Sequence, residues 1–234
     1  MPPTTGCLIC GADLEYLPEP EKMECLYCRE HHFSSSRCVR GHFICDRCHR
    51  MGAEDLIEST TIRSTSNDPF AIAESLLESP TMKMHGPEHH FLVPAVLIAA
   101  LYNHTGEQEK KERGIKSARR RSEMIKGGSC GFLGDCGAAV GTGIFVSVIT
   151  GATPLSREEW RLANLMTARA LEEIAQHGGP RCCKRNTFLA LGSAVRFLSS
   201  EMGIVLPKPD RIVCRYSSQN KECLGEKCVF FSGT

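Results

Sequence analysis

Apolar residues recur at helical spacing along most of the chain after about residue 53. The clearest start is Asp68-Pro69, an N-cap followed by proline at the first helical position, and that helix should end before Pro80. Further helices are predicted at about residues 94–102, 107–125, 136–150, 156–177 and 186–202. Only residues 211–216 resemble a short strand. The pattern predicts a mainly α fold, a bundle of six or seven helices.

The segment from Gly127 to Ser156 contains the smoothest of these helices. Gly137, Gly141 and Gly143 lie within it, and each glycine in a helix costs roughly 0.5–1 kcal/mol relative to alanine. Several together indicate a close approach by either a neighbouring helix or a ligand. We expect a buried central helix whose first turn presents Cys136. Ser156 and Glu159 form a capping box that should open the next helix.

The bulk composition is that of an ordinary soluble protein, with 41% apolar and 24% charged residues. The formal net charge of +1 argues against a surface covered in nucleic-acid-binding charge. Neither a signal peptide nor an apolar stretch of about 20 residues is evident, which predicts a cytoplasmic location without membrane contact. The fourteen cysteines, several of them as Cys-x-x-Cys, then favour metal binding over disulfides.

The first 52 residues contain two complete sets of zinc ligands. One set is Cys7, Cys10, Cys25 and Cys28, a four-cysteine ribbon, and the other is Cys38, His42, Cys45 and Cys48. Gly11 follows the first pair, where such a turn often needs positive φ. Spacing alone does not distinguish sequential from cross-braced ligation. The stretch resembles RING-like and treble-clef modules.

A segment with so few large apolar residues needs metal to fold, and a structural zinc supplies on the order of 10 kcal/mol. We therefore predict a zinc-binding module at residues 1–52 with two structural zinc ions. An α-helical Cys/His-rich domain should cover residues 53–234.

A cluster of imidazoles marks one candidate site in the helical domain. His85, Glu88, His89 and His90 fall within six residues, next to apolar neighbours. Pro87 and Pro94 should keep them out of a regular helix, on a structured turn. Such groups suit metal binding or acid–base chemistry.

Cysteines supply three further candidates. Cys130 and Cys136 bracket a glycine-rich turn, and a thiol at a helix N-terminus is either a ligand, a reactive thiol or an inert buried group. Cys182 and Cys183 can form a vicinal disulfide or give one metal ligand each. Arg181 and Lys184 beside them could bind an anion. The alternative is that residues 181–185 form a solvated basic loop. Cys214, Cys223 and Cys228 lack a fourth thiol, which Cys182 or Cys183 could supply for a [4Fe–4S] cluster or a third zinc. Three unrelated thiols are the other reading.

The motifs HGPEHHFLVPAVL, CGFLGDCGAAVGTGIF, ITGATPLSREEW and GGPRCCKR, followed by the closing cysteines, resemble a cysteine-rich family, domain of unknown function 5714. The resemblance covers the chain after about residue 67. It implies an anaerobic setting and a methyltransferase or radical S-adenosylmethionine protein as partner. More weakly, Cys136-Gly-Ala-Ala-Val-Gly141 resembles a segment of small helical redox proteins.

The preferred interpretation is a redox or metallocluster protein accessory to methyl- or radical-transfer chemistry. Cys130, Cys136, Cys182 and Cys183 would be ligands or thiol carriers, and the histidines ligands or proton donors. Glu88 would orient a histidine, while Arg181 and Lys184 would bind an anionic substrate. One alternative is a non-catalytic, zinc-dependent interaction scaffold. Another is RNA binding through Arg119–Arg121, which mixed charges at helical spacing make the weakest choice.

Overall fold

The computed structural model describes residues 6–7, 10–26, 30–46, 49 and 52–233. Within them the fold is mainly α, as predicted, with one small sheet. The sheet is an antiparallel hairpin of β1 (Leu14–Glu24) and β2 (His31–Cys38), with a register irregularity between Tyr16 and Glu21. The sequence analysis missed this hairpin because most of β1 is exposed and carries two prolines, so no apolar alternation marks it.

The body begins with α1 at Ala53. Its helices are α1 (Ala53–Arg63), α2 (Pro69–Leu77), α3 (Glu88–Thr105), α4 (Gln108–Ser122), α5 (Ser129–Phe132), α6 (Gly137–Thr150), α7 (Glu158–Gln176) and α8 (Cys183–Met202). Two 3₁₀ turns, Ser217–Gln219 and Gly225–Lys227, interrupt the irregular C-terminal segment. That segment has no strand at residues 211–216, contrary to the prediction.

The centre of the bundle is α3 rather than the glycine-rich helix. From Phe91 to Tyr102 every residue of α3 is buried, and α1, α2, α4, α6 and α8 all pack against it. Helix α6 is also largely buried, with no exposed residue, and it packs against α3, α4, α7 and α8. The expectation of a buried helix at about these bounds is confirmed for α6, but the most completely buried helix of the bundle is α3.

The glycines of α6 serve helix packing. A Cβ at Gly141 would lie 2.9 Å from Cδ of Pro94 in α3, and one at Gly143 would lie 3.0 Å from the carbonyl oxygen of Ala163 in α7. At Gly137 it would overlap the imidazole of His90. All three glycines thus face a neighbouring helix, which favours packing over the ligand alternative.

The expectation that prolines keep the histidine cluster out of a helix is confirmed only for His85, which lies in a bend, whereas Glu88, His89 and His90 form the first turn of α3. Helix α3 begins at Glu88 and runs through Pro94. Proline lacks the N–H that would bond to the carbonyl four residues earlier. The hydroxyl of Ser122 donates to that carbonyl, His90 O, at 3.2 Å, so the missing donor is replaced from α4.

Two helix N-termini test the capping residues that the sequence predicted. Asp68 caps α2 as predicted, its carboxylate accepting from the N–H of Phe70 at 2.8 Å and of Ala71 at 3.2 Å. The capping box at Ser156 does not form, because its hydroxyl pairs with Thr153 and α7 begins at Glu158. Among the described residues, no helix combines the length and apolar character needed to cross a membrane.

Candidate metal centres

The hairpin and the loops around it build the first centre. Cys7, Cys10, Cys38 and His42 have their ligand atoms all within 4.8 Å of one another. Sγ of Cys7 lies 3.6 Å from Nδ1 of His42, and Sγ of Cys10 lies 3.6 Å from Sγ of Cys38. A tetrahedral zinc ion with Zn–S bonds of about 2.3 Å needs ligand separations of roughly this size. The quartet can therefore hold a metal ion, and three sulfurs with one imidazole suit zinc.

Backbone turns aim these ligands. After Cys7-x-x-Cys10 the chain turns at Gly11, whose φ of 70° confirms the expected left-handed residue. Between Cys38 and His42 a second turn uses Gly41 at φ 81°, and the N–H of Arg40 points at Sγ of Cys38 at 3.3 Å.

The grouping of the ligands is crossed. The sequence analysis placed Cys7 and Cys10 with Cys25 and Cys28, whereas the structure places them with Cys38 and His42. The remaining cysteines also come together across the two predicted sets. Cys25 of the first set packs against Cys45 of the second, and the N–H of Cys45 lies 3.3 Å from Sγ of Cys25. Cys28 and Cys48, predicted ligands of the same sets, lie outside the described residues.

The N-terminal module contacts the body at several points. Asp13 pairs with Lys221 at 2.8 Å, and a carboxylate oxygen of Asp46 accepts from the N–H of Gly127 at 2.8 Å. Nζ of Lys83 donates to the carbonyl oxygen of His49 at 2.6 Å. The module therefore rests on the end of the bundle where α5, the start of α6 and the C-terminal segment meet.

The second centre is a cavity between α8 and the C-terminal segment. Four cysteines line it: Cys182, Cys214, Cys223 and Cys228. Its enclosed part is small, about 20 Å³, and the volume reaches about 430 Å³ only when the open solvent at its mouth is counted. The C-terminal segment is held over α8 by the edge-on contact of Phe230 with Phe188, 5.9 Å between ring centroids, and by the bond from the N–H of Cys214 to the carbonyl of Phe230 at 2.7 Å.

Backbone N–H groups point at three of these four sulfurs. Arg185 donates to Cys182, Tyr216 to Cys214 and Gly225 to Cys223, each at 3.4 Å. Cys182 is also the N-cap of the 20-residue helix α8, where the helix dipole favours negative charge. N–H···S bonds of this kind stabilise thiolates bound to metal.

Two buried cations flank the same cavity. Lys184 is 3% exposed, and its Nζ donates to the carbonyl oxygen of Leu77 at 2.7 Å and lies 4.0 Å from the ring centre of Tyr216. Arg185 is 5% exposed and donates to the carbonyl oxygens of Gly178 and Pro180. Among the described residues neither cation has a carboxylate within ion-pair distance. Burial lowers the pKa of Lys184 to about 8, although nearby anionic groups oppose that shift.

No three sulfurs of this cavity lie as close together as the ligands of the N-terminal quartet. In the part of the chain that the structure describes, only the N-terminal quartet brings three or more Cys, His, Asp or Glu ligand atoms within 4.8 Å of one another. Burial raises the pKa of the Cys182 and Cys214 thiols, so both are protonated until something positive binds.

The adjacent cysteines are both free and face different surroundings. Cys182 belongs to the cavity, whereas Cys183 lies outside its lining, and burial, with a smaller contribution from Cys136, raises the pKa of Cys183 to about 12. Burial also raises the pKa of Cys130, with Cys136 adding to the shift. Nδ2 of Asn186 donates to Sγ of Cys136 at 3.4 Å, tying α8 to the start of α6.

The predicted histidine cluster is divided among different surroundings. His89 is 1% exposed, with Nδ1 on the hydroxyl of Thr187 at 3.2 Å and Nε2 on the carbonyl oxygen of Lys83 at 3.0 Å, so both its nitrogens are engaged inside the core. Nδ1 of His90 faces the carbonyl oxygen of Ile125 at 3.3 Å.

His85 instead faces the C-terminal segment. Its Nε2 lies 3.1 Å from Oδ1 of Asn220 and 3.2 Å from Oε2 of Glu222, just before Cys223. Burial, with the nearby charge of Arg181, lowers the pKa of His85. A neutral His85 therefore donates to these acceptors and positions the loop that carries Cys223.

Glu88 is fully buried and faces the N-terminal module. One oxygen accepts from the N–H of Lys83 at 3.0 Å, and Oε2 lies 3.7 Å from Nδ1 of His49. Burial opposes its ionisation, but His49, with smaller contributions from His89 and Lys83, lowers its pKa to about 2. Glu88 thus links α3 to the module.

In the basic run Arg119–Arg121, the charge of Arg119 is already paired with carboxylates and is not free to bind phosphate. Arg119 pairs with Asp55 at 2.6 Å and with Glu58 at 2.8 Å. Arg121 donates to the hydroxyl of Ser147. These contacts join α4 to α1 and α6.

Sequence reasoning missed Tyr16 and Asn186, which connect the cysteine-bearing elements. The ring of Tyr16 lies 6.1 Å from that of Phe132 and 5.3 Å from the guanidinium of Arg181. Asn186 follows the noted RCCKR motif directly, and its position one turn after the cysteines was the available signal. Nothing in the sequence around Tyr16 marked it.

No curated protein and no solved structure matches the chain. A family model does match, over residues 57–231, and its description is a family of unknown function, DUF5714. The match begins within α1 and covers the rest of the helical body and the closing cysteines, most of the chain. This protein is therefore a member of the DUF5714 family.

Proposed function

We propose that the protein is a metallocluster protein in which zinc folds the N-terminal module and the four-cysteine cavity binds a [4Fe–4S] cluster. The convergence of Cys182, Cys214, Cys223 and Cys228 on one cavity is the observation that carries this proposal. Its role would be redox or accessory to a methyl- or radical-transfer enzyme.

The spacing of the thiols supports a cluster over a third zinc. The N-terminal quartet is already as tight as one ion requires, while the cavity sulfurs are not. In a [4Fe–4S] cluster each cysteine binds a different iron, so the sulfurs stand further apart than around one zinc. The two kinds of spacing within one chain fit two kinds of metal.

The charges around the cavity support the same choice. Burying a cation without an anion is costly, and Lys184 and Arg185 are both buried beside the cysteines. Four thiolates around a cluster supply the missing negative charge. Together with the three N–H···S bonds, the cations would also raise the reduction potential of the cluster.

Anaerobic purification of the full chain, with iron and sulfide reconstitution, tests the proposal. Iron, acid-labile sulfide and a broad visible absorption that bleaches on reduction are expected. Cys223→Ser should lose this absorption, whereas Ser217→Ala, at the same cavity but without a ligand atom changed, should keep it. Zinc alone, with no iron retained, would favour the interaction scaffold instead.

A further inference from the structure

The N-terminal module is a separate unit that is held on the helical body mainly by polar contacts. Its own small core consists of Cys25 and Cys45, with Phe43 and Ile44 packed against them. The large core of the body includes no described residue before Ala53. Undocking of the module would therefore leave that core intact.

His49 of the module contacts the body at two points. Its carbonyl oxygen accepts from Nζ of Lys83 at 2.6 Å, and its Nδ1 lies 3.7 Å from Oε2 of Glu88. Glu88 is fully buried, and among the described residues neither this Oε2 nor this Nδ1 has a hydrogen-bond partner. Each of the two atoms therefore depends on the other to offset the cost of its burial.

The body is built to hold this carboxylate beneath the module. The N–H of Lys83 donates to its other oxygen at 3.0 Å. A Cβ at Gly86 would overlap the carboxylate, so only glycine leaves room for it there. A buried carboxylate that loses its partner is strongly destabilising. Docking of the module therefore requires the imidazole of His49, because the module would otherwise cover an unpaired charge.

The position of His49 depends in turn on the cysteines of the module. The N–H of His49 donates to the carbonyl oxygen of Cys45 at 2.9 Å, and the N–H of Cys45 lies 3.3 Å from Sγ of Cys25. A segment with so small an apolar core needs metal to fold. Loss of zinc from the module would therefore displace His49, and Glu88 would lose its partner.

We propose that the N-terminal module is a releasable cover of the body, which zinc keeps folded and which the His49–Glu88 contact keeps docked. Two further contacts connect this cover to the cysteine cavity. Asp13 pairs at 2.8 Å with Lys221, two residues before one cavity cysteine. The ring of Tyr16 lies 5.3 Å from the guanidinium of Arg181, the residue before another.

Release of the module would free both of these cysteine-bearing segments. Zinc binding in the module and metal binding in the cavity would then be coupled, each strengthening the other. This deepens the proposed function by adding a regulation of the cavity, and its consequence for iron rests on that function. The docking itself does not.

The amide proton of Gly127 reports docking, because it bonds to a carboxylate oxygen of Asp46 at 2.8 Å across the junction. In the zinc-loaded full chain, followed by nuclear magnetic resonance, His49→Ala should speed the exchange of this proton about tenfold or more. His49→Ala/Glu88→Gln should recover much of the protection, since an uncharged amide tolerates burial far better than a carboxylate. His104→Ala, at an exposed position of α3, is the control and should match the wild type.

Equal exchange of Gly127 in the wild type and in His49→Ala would overturn the proposal. So would equal acceleration in His49→Ala and His49→Ala/Glu88→Gln, because the carboxylate would then not be the reason for release. Zinc content should be unchanged in both variants. Zinc loss in His49→Ala would show that the imidazole serves metal binding rather than docking, and would also overturn the proposal.

Removing zinc from the wild type tests the role of the metal. Exchange of Gly127 should accelerate as it does in His49→Ala, while the amides of residues 92–101 in α3 keep their protection. Loss of protection at both places together would mean that the body unfolds with the module, and would overturn the idea of a releasable cover.

The consequence for the cavity is measured with the same variants after anaerobic reconstitution with iron and sulfide. His49→Ala should lose iron to a chelator about tenfold faster than the wild type, and His49→Ala/Glu88→Gln should lose it more slowly than His49→Ala. Equal rates in all three proteins would overturn the coupling. A chain that binds no iron would overturn the proposed function, while the exchange of Gly127 would still decide the docking.

Discussion

The hydroxyl of Ser122 donates to the carbonyl oxygen of His90 at 3.2 Å, replacing the N–H that Pro94 cannot supply. Ser122 itself is fully buried. The bond joins α4 to the first turn of α3, which carries Glu88 and the histidines. It is the reason that a proline is tolerated inside the central helix.

Ser122→Ala should therefore destabilise the protein by about 1–2 kcal/mol, since a buried carbonyl loses its donor. Chemical denaturation measures the change. In a Pro94→Ala background the helix regains its own N–H, and Ser122→Ala should cost clearly less. An equal cost in both backgrounds would show that the bond does not compensate for the proline.

Gly141 lies where α6 touches α3 most closely. An alanine there would place Cβ 2.9 Å from Cδ of Pro94 and 3.0 Å from the carbonyl oxygen of His90. Gly141→Ala should destabilise by about 1–3 kcal/mol, as overpacking does. Gly131→Ala, in α5 with open space around the new methyl group, is the matched control and should be neutral or slightly stabilising. Equal thermal shifts for the two variants would contradict the packing account.

Helical periodicity predicted most of the body, because long apolar faces and caps such as Asp68 are local signals. It failed where a partner elsewhere in the chain decides the outcome. Pro94 breaks a helix unless a residue such as Ser122 supplies a donor, and Ser156 is a cap only if Thr153 does not take its hydroxyl.

The candidate site was predictable by residue type but not by grouping. Metal-ligand spacing predicted Cys7, Cys10, Cys38 and His42 as ligands, and the structure brings them together as a set that could hold a metal ion. Their crossed grouping depends on the β-hairpin, which no sequence pattern predicted. The fourth cysteine of the C-terminal set was foreseen as Cys182 or Cys183, and the fold selects Cys182 for the cavity. His89 was predicted as a ligand or proton donor, but both its ring nitrogens form hydrogen bonds within the core.

His89 should make stability depend on pH. Burial lowers its pKa from 6.5 to about 4, so the unfolded chain takes up a proton below pH 6.5 while the folded chain does not until about pH 4. The free energy of unfolding therefore keeps its full His89 contribution above pH 6.5. It falls by roughly 3 kcal/mol in all as the pH decreases from 6.5 to about 4.

Denaturation of the wild type and of His89→Gln between pH 4 and 7 measures this effect, because other titrating groups are common to both proteins. The wild type should lose more stability on acidification than the variant. Parallel curves would contradict the assignment of His89 as a buried neutral imidazole.

His42 should be required for one zinc ion. His42→Ala leaves the quartet with three sulfurs, so zinc content should fall by about one ion per chain. Amides of residues 14–38 should then exchange with solvent faster, while the helical body keeps its protection, since its core does not include the hairpin. His31→Ala, at an exposed position of β2, should change neither. Unaltered zinc content in His42→Ala would contradict the assignment of His42 as a zinc ligand.

The central claim is that one chain builds a tight single-ion centre and a wider cluster centre from its cysteines. Anomalous X-ray scattering from anaerobically grown crystals, recorded at the iron and zinc absorption edges, tests it most directly. We predict a zinc peak among Cys7, Cys10, Cys38 and His42 and an iron peak among Cys182, Cys214, Cys223 and Cys228. A zinc peak in the cavity, with its four sulfurs drawn around one ion, or no iron peak there at all, would contradict the account.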